Sequence, residues 1–123
     1  MIGYVTLGTN DFIKATEFYD ALLAELGGSR FMESDSYVAW SPSPTLPGLA
    51  VIKPFDGSPA TVGNGVMVAL SVESPNQVDD LYKKAMELGA SDEGKPGKRG
   101  EGSFYAAYFR DLDGNKLNVY CIE

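Results

Sequence analysis

The second half of this sequence repeats the first at an offset of about 63 residues. The matched positions are Val5 and Val68, Leu7 and Leu70, Phe18 and Leu81, Tyr19 and Tyr82, and Leu26-Gly27 and Leu88-Gly89, with one residue of slippage at the last pair. A repeated half of this size is a supersecondary unit and not a solenoid repeat. We therefore predict a fold built from two similar modules.

The first half predicts the order β-α-β-β-β. Residues 2–8 alternate as in a strand, and the apolar residues of 12–26 follow helical spacing. Thr9-Asn10-Asp11 offers capping residues before this helix, and Gly27-Gly28 closes it. The β-forming runs at 29–33, 37–41 and 49–53 are separated by turn-forming sequences and predict three further strands.

The second half predicts the same order again. A strand over 66–72 precedes a helix over 77–88, which has the cap Ser74-Pro75 and ends at Gly89. A polar, glycine-rich loop is predicted at 95–102, and strands at 103–110 and 116–122 flank a turn. Residues 54–65 predict a connection, so that modules 1–53 and 66–123 form a single domain over 1–123.

Composition limits the classes of function. The apolar content of 44% in 123 residues is sufficient for a hydrophobic core, and the net charge of −7 argues against nucleic-acid partners and anionic membrane surfaces. The lone Cys121 cannot form an internal disulfide, and no apolar run has the length of a membrane span. The sequence therefore predicts a cytoplasmic protein that binds neither nucleic acid nor membranes.

Three segments resemble the vicinal oxygen chelate superfamily, which includes glyoxalase I, extradiol dioxygenases and bleomycin resistance proteins. They are MIGYVTLGTNDFIKATEFYDALL, GNGVMVAL and FYAAYFRDLDGNKLNVY, and together with the two modules they extend the resemblance over almost the whole chain. It implies an α+β fold in which two βαβββ modules form half-barrel sheets around a central cleft, with the helices outside. It also implies a homodimer, because chains with only two modules usually pair.

In metal-dependent relatives the ligands project from the first strand of each module and from the closing strands. Strand parity predicts that Tyr4 and Thr6 face the cleft, as do Met67 and Ala69. On the last strand Lys116, Asn118 and Tyr120 face the cleft, while Leu117, Val119 and Cys121 face the helix. By resemblance, Tyr4 and Met67 stand where relatives carry histidine, and Asn118 stands where they carry glutamate.

This set does not suit a divalent metal. Zinc, nickel and iron sites use imidazole, thiolate or carboxylate, whereas a phenol, a thioether and an amide carry no negative charge. No histidine occurs anywhere in the chain to replace them. We therefore expect no metal and no cofactor, and metal-dependent glyoxalase or dioxygenase activity is disfavoured.

Each of these three residues also has a simpler explanation. Tyr4 is either a proton donor in a metal-free cleft or, as is commoner, a buried tyrosine bonded to a backbone carbonyl. Met67 fits a pocket lining or the core better than a redox role. Asn118 either bonds a ligand or satisfies its neighbours across the strands.

Other candidate residues favour structural roles. The run 111–115 superficially resembles a calcium loop but lacks the further acidic position, so a turn is predicted. Lys95, Lys98 and Arg99 either meet an anionic group at the cleft mouth or form a solvated loop, and the latter is favoured. Cys121 is predicted to be a small buried hydrophobe, and without histidine a conventional triad is impossible.

These observations predict a metal-free protein that holds a small organic molecule in a cleft. The predicted lining residues are Tyr4, Thr6, Met67, Tyr108, Asn118 and Tyr120. One alternative is an enzyme, either a metal-independent catalyst with Tyr4 as the acid or a lyase or dioxygenase with an atypical metal site. Another alternative is a structural or interaction role.

Overall fold

The repeat in the sequence becomes two units with the same order of elements. The computed structural model describes residues 1–123, which divide into Met1–Val62 and Gly63–Glu123. The first unit contains β1 (Tyr4–Gly8), α1 (Phe12–Ala24), β2 (Ser29–Glu33), β3 (Tyr37–Ser41) and β4 (Gly48–Ile52). The second contains β5 (Val68–Ser71), α2 (Pro75–Glu87), β6 (Ser91–Lys98), β7 (Phe104–Arg110) and β8 (Lys116–Ile122). The predicted α+β class with two βαβββ modules is confirmed.

Each unit has one four-stranded mixed sheet. The strand order is β1-β4-β3-β2 in the first and β5-β8-β7-β6 in the second. The first strand of each unit pairs in parallel with the last, and the other pairs are antiparallel. In both units this order places the first strand, which precedes the helix, at one edge of the sheet.

The core of the first unit lies between α1 and one face of its sheet. The buried side chains of α1 are Ala15, Thr16, Phe18, Tyr19, Leu22 and Leu23. They pack against Leu7, Val38, Trp40, Leu49 and Val51 from alternate strand positions, all of which are buried. Tyr19 and Trp40 bring their ring centres to 5.7 Å, within the range of favourable aromatic contact.

The second unit is built in the same way around α2. Val78, Leu81 and Ala85 are buried on the helix, and Ala107, Phe109, Leu117, Val119 and Cys121 are buried on the sheet. The predicted helix-facing set on the last strand is therefore confirmed. In each unit the opposite face of the sheet carries no helix, and we call it the helix-free face.

Both helices begin where their capping residues indicate. Asp11 accepts a hydrogen bond from the backbone N–H of Lys14 at the start of α1. Ser74 and Gln77 form a capping box at the start of α2, with Pro75 in the first turn. The first helix ends at Ala24, earlier than the predicted residue 26, because Leu26 N–H bonds the carbonyl of Leu23 in a tightened final turn.

The predicted loop at 95–102 is wrong over its first half. Residues Ser91–Lys98 form β6, an edge strand antiparallel to β7, with register shifts between Asp92 and Gly94 and between Gly94 and Gly97. An edge strand tolerates Pro96, because a missing N–H on the open side breaks no ladder bond. Pairing with β7 outweighs the weak β-propensity of the segment, and it supplies the strand that the sequence analysis did not identify.

The strand predicted over 66–72 is shorter in the structure. Met67 immediately precedes β5 and is 41% exposed. Neither helix combines the length and the apolar composition that crossing a membrane requires.

Candidate functional site

Tyr4 and Thr6 lie on the helix-free face of the first unit. Both are exposed, Tyr4 to 54%, whereas Leu7 between the sheet and α1 is buried. The Tyr4 hydroxyl makes no hydrogen bond within the chain. The expectation of a buried tyrosine bonded to a backbone carbonyl is therefore wrong for Tyr4, because its strand position turns the ring away from the core.

Small residues form the surface beside these two side chains. Gly48 and Ala50 pair with Tyr4 and Thr6, and Ala39 pairs with Ala50 on the next strand. Ala39 and Ala50 are 0% and 1% exposed, so larger neighbouring side chains, among them Phe31, cover this part of the sheet.

Phe31 is a residue on this face that the sequence analysis did not single out. A Cβ placed on Gly48 would lie only 2.8 Å from the Phe31 ring, so the ring rests directly on this glycine. Arg30 bonds Asp20 on α1, so alternation along β2 puts Phe31 on the opposite, helix-free face; the register shift between Arg30 and Met32 leaves Phe31 without a paired residue on β3. Strand alternation indicates this face once the direction of Arg30 is known.

The helix-free face of the second unit brings together Tyr108, Asn118 and Tyr120. Tyr108 pairs directly with Asn118, and Tyr120 pairs with Ala106. The rings of Tyr120 and Phe104 stack with their centres 5.2 Å apart and an interplanar angle of 21°. Both tyrosines remain half-buried, so part of each ring is open to contact.

Asn118 is held by the sheet. It is 1% exposed, and its Nδ2 donates to the carbonyls of Ala107 at 3.1 Å and Val119 at 3.3 Å. The sequence left open whether Asn118 bonds a ligand or its neighbouring strands. Its amide nitrogen bonds the strands. The Oδ1 atom accepts no hydrogen bond within the chain.

Two cations lie over the ring of Tyr108. The guanidinium of Arg99 is 5.4 Å and the ammonium of Lys116 is 5.6 Å from the ring centre. Arg99 also donates to the carbonyls of Lys95 at 2.5 Å and Gly97 at 2.9 Å. Arg99 is therefore anchored, whereas the solvated-loop interpretation fits Lys95, which is mostly exposed and 3.8 Å from Asp92.

The residues at the family's metal positions do not fit a divalent cation. No three His, Cys, Asp or Glu side chains lie together as a metal-binding group. Asn118 acts as a hydrogen-bond donor to two backbone carbonyls, a role that a carboxylate cannot take. The amide is therefore already used in bonding within the sheet, and it brings no negative charge to a metal.

The predicted turn at residues 111–115 is confirmed. The Asp111 Oδ1 accepts the backbone N–H groups of Asp113 and Asn115, both at 2.9 Å, and Oδ2 accepts the side chain of Asn115 at 3.0 Å. This carboxylate is therefore used to close the hairpin.

Cys121 is buried and unpaired, as predicted. Desolvation by burial raises the pKa of its thiol, and the negative charges of Glu123 and Asp79 raise it further. The thiolate is therefore disfavoured, in agreement with a structural role for this cysteine.

The fold and these faces agree with a family match over nearly the whole chain. Residues 1–119 match the glyoxalase/bleomycin resistance protein/dioxygenase superfamily. The chain belongs to this superfamily, as the resemblance in its sequence predicted.

Solved structures show how similar its relatives are. A glyoxalase/bleomycin resistance protein from Albidiferax ferrireducens T118 is 34% identical with a TM-score of 0.88, and the alignment covers 98% of both chains. A hypothetical protein from S. aureus is 26% identical with a TM-score of 0.76, covering 98% of this chain and 92% of the other. A genomically encoded fosfomycin resistance protein from Listeria monocytogenes, 17% identical, shares the fold with a TM-score of 0.74 over 98% and 92% of the chains. Among the curated proteins, none matches.

The structure places the predicted residues on two separate sheet faces. Tyr4 and Thr6 share the helix-free face of the first unit, while Tyr108, Asn118 and Tyr120 share that of the second. Met67 belongs to the second unit and immediately precedes β5, whose first residue Val68 pairs with Leu117 on β8. That all six line a single cleft stays a prediction.

Proposed function

We propose that this protein binds a small organic molecule on its helix-free sheet faces without a metal of the family type. The observation that carries the proposal is the set of aromatic side chains left accessible on these faces. Tyr4 is exposed with an unused hydroxyl, and Tyr108 and Tyr120 are only half-buried. Apolar rings with a few polar groups are typical of sites for small organic ligands.

The chemistry of the site supports binding in preference to metal-dependent catalysis. Tyr4, Met67 and Asn118 supply no imidazole or carboxylate, and the Asn118 amide is already engaged with two carbonyls. Two solved structures that share the fold are named a fosfomycin resistance protein and a lactoylglutathione lyase, and both names refer to small organic molecules. We extend to this chain only that general class of ligand.

We expect Tyr4→Ala to weaken binding of an organic ligand about tenfold or more, because the substitution removes an exposed ring that would contact it. A panel of small aromatic and aliphatic metabolites, followed by melting temperature, would first identify a ligand, and calorimetry would then give its Kd. The matched control is Phe55→Ala, which removes a fully exposed ring outside both sheets and should leave Kd unchanged.

Two outcomes would contradict the proposal. The first is that no compound of the panel stabilises the protein. The second is a stoichiometric metal in the purified protein, together with a melting temperature that rises on addition of nickel, zinc or iron. Such a result would indicate that the protein binds a metal, as the metal-dependent members of its superfamily do.

Metal-independent catalysis is the second candidate function. It is favoured by the Tyr4 hydroxyl, which is accessible and bonded to nothing else in the chain. A phenol in that state can donate a proton to a bound ligand. Tyr4→Phe discriminates the two functions, since it keeps the ring for binding and removes the only proton that this mechanism uses.

We also propose that the protein is a homodimer in solution. Supporting features are Tyr4, Phe31 and Met67, which leave apolar surface exposed on single units, and the two open edges of each sheet. Covering such surfaces by a second copy is the usual solution in symmetric oligomers. Light scattering at micromolar concentration should give about twice the mass of 13.2 kDa, and a monomer mass would contradict the proposal.

The remaining proposals concern organisation and location. We propose that residues 1–123 act as one domain with modules 1–53 and 66–123, supported by the internal repeat. We also propose the cytoplasm as its location. The buried, unpaired Cys121 and the absence of any disulfide support a reducing compartment.

A further inference from the structure

We propose that Arg99 and Lys116 form an anion subsite over Tyr108, which binds the carboxylate, phosphate or phosphonate group of an aromatic ligand. This subsite would lie on the helix-free face of the second unit. The inference rests on the proposed function, because it names the chemical class of the organic molecule that this face would hold.

The position of the Arg99 guanidinium is fixed by the backbone. Its Nη1 donates to the carbonyl of Gly97 at 2.9 Å, and its Nη2 donates to that of Lys95 at 2.5 Å. Both neighbouring glycines make room for it, since a Cβ on Gly94 or Gly97 would lie 3.2 Å from a guanidinium nitrogen. A cation oriented in advance loses little entropy when it binds an anion.

No carboxylate of the chain neutralises either cation. The four ion pairs of the protein involve Arg30 twice, Lys95 and Arg110, and none involves Arg99 or Lys116. Both residues are nonetheless half-buried beside Tyr108. Partly desolvated charge without a counterion is unfavourable, and a bound anion would relieve it.

The strand register adds a third positive charge nearby. Arg110 lies directly opposite Lys116 in the β7–β8 pair, and like charges in that position repel. Glu93 compensates Arg110 through an ion pair, so the excess positive charge remains on Lys116 and Arg99. In a chain with a net charge of −7, this local excess is unusual and points to a function in binding.

Aromatic rings beside the cations suit the body of the ligand. Tyr120 pairs with Ala106, two residues before Tyr108 on β7, so both tyrosines project from the same face. Phe104 stacks on Tyr120 and extends this apolar surface. An aromatic acid could thus contact the rings while its anionic group approaches Arg99 and Lys116.

The test compares three probes of similar size: benzoate, phenylphosphonate and the neutral benzyl alcohol. Calorimetry should show that at least one of the two anions binds about tenfold or more tightly than benzyl alcohol, because a charge-assisted contact is present only for the anion. The affinities of benzoate and phenylphosphonate then show which head group is preferred. Binding of the anions should weaken as salt rises from low to physiological concentration.

Variants assign the effect to the subsite. Lys116→Gln removes a charge whose side chain makes no hydrogen bond in the chain, and should weaken anion binding about tenfold while leaving benzyl alcohol unaffected. Lys116→Arg should retain most of the affinity. The control is Lys83→Gln on α2, which makes the same change in net charge at an exposed position away from this face.

Two results would overturn the inference. One is that benzyl alcohol binds as tightly as both anions. This result would support the proposed binding of organic molecules and contradict the anion subsite. The other is that Lys116→Gln weakens anion binding no more than Lys83→Gln does. If Arg99→Gln disturbs β6, the Lys116 variants alone test the inference, because the Lys116 side chain makes no hydrogen bond or ion pair within the chain.

Discussion

Replacing Asn118 by aspartate is expected to lower the free energy of unfolding by about 2 to 4 kcal/mol at neutral pH. Asn118 is 1% exposed, and its Nδ2 donates to the carbonyls of Ala107 and Val119. A carboxylate of the same shape has no hydrogen to donate. One of its oxygens would therefore face the two carbonyl oxygens in a buried environment. Urea denaturation, followed by circular dichroism, measures the change.

The loss of stability should depend on pH in a defined direction. Burial and the facing carbonyls raise the pKa of the introduced carboxyl group above its ordinary value of about 3.9. The destabilisation is fully present above the raised pKa, decreases as pH falls through it, and disappears below about 3.9, where both states are protonated. Asn64→Asp, an exposed loop change, is the control and should have little effect. Equal stability of the two variants at neutral pH would show that the amide does not support the sheet.

Because of the same hydrogen bonds, we expect that exchanging Asn118 for a metal-ligating residue also changes the bonding within the sheet. A glutamate at position 118 would meet the same two carbonyl oxygens, and its ionised carboxylate has no hydrogen to donate to them. The change from a ligating carboxylate to an amide thus alters the internal bonding of β7 and β8 as well as the metal chemistry. We infer that the protein depends on this amide for its fold.

Local sequence signals predicted the helices and the repeat well. Ser74, Pro75 and Gln77 define the start of α2 through contacts within one turn, which a sequence pattern records directly. Likewise, alternation on β8 correctly separated the buried Leu117 and Val119 from Lys116 and Tyr120.

Features that depend on distant partners were not predictable in this way. Strand β6 exists through its pairing with β7, although its own residues favour a loop. The register shift that leaves Phe31 unpaired depends on β3, and the residues of β2 alone do not indicate it. For Asn118, parity predicted the face but not the carbonyl partners that occupy its amide. Alternation gives the direction of a side chain, whereas its chemical role depends on the neighbouring strand.

Removing the carboxylate of Asp20 should also destabilise the protein, by about 2 to 3 kcal/mol in Asp20→Ala. Asp20 on α1 accepts hydrogen bonds from Arg30 at 2.8 and 2.7 Å and from Trp40 Nε1 at 2.8 Å. Trp40 is 2% exposed, so the variant would leave a buried indole N–H without a partner. Most of the loss should come from this group, because the Asp20 side chain is 43% exposed and its ion pair is weakened by solvent.

Comparison with Asp20→Asn separates the two contributions. Asparagine keeps an oxygen for Trp40 and loses the charge that Arg30 binds, so we expect a loss of under about 1 kcal/mol. Hydrogen bonding to Arg30 lowers the pKa of Asp20 in the folded state. The stability that the charge of Asp20 contributes is therefore present above the ordinary pKa of about 3.9 and is lost as pH falls through the lowered value. The loss of stability in Asp20→Ala that comes from the unpaired Trp40 N–H persists at low pH.

Urea denaturation followed by the fluorescence of Trp40, the single tryptophan, measures both variants. The exposed Glu17→Ala on α1 is the control. If Asp20→Asn were as unstable as Asp20→Ala, the ion pair and not the indole hydrogen bond would be the main contribution of Asp20.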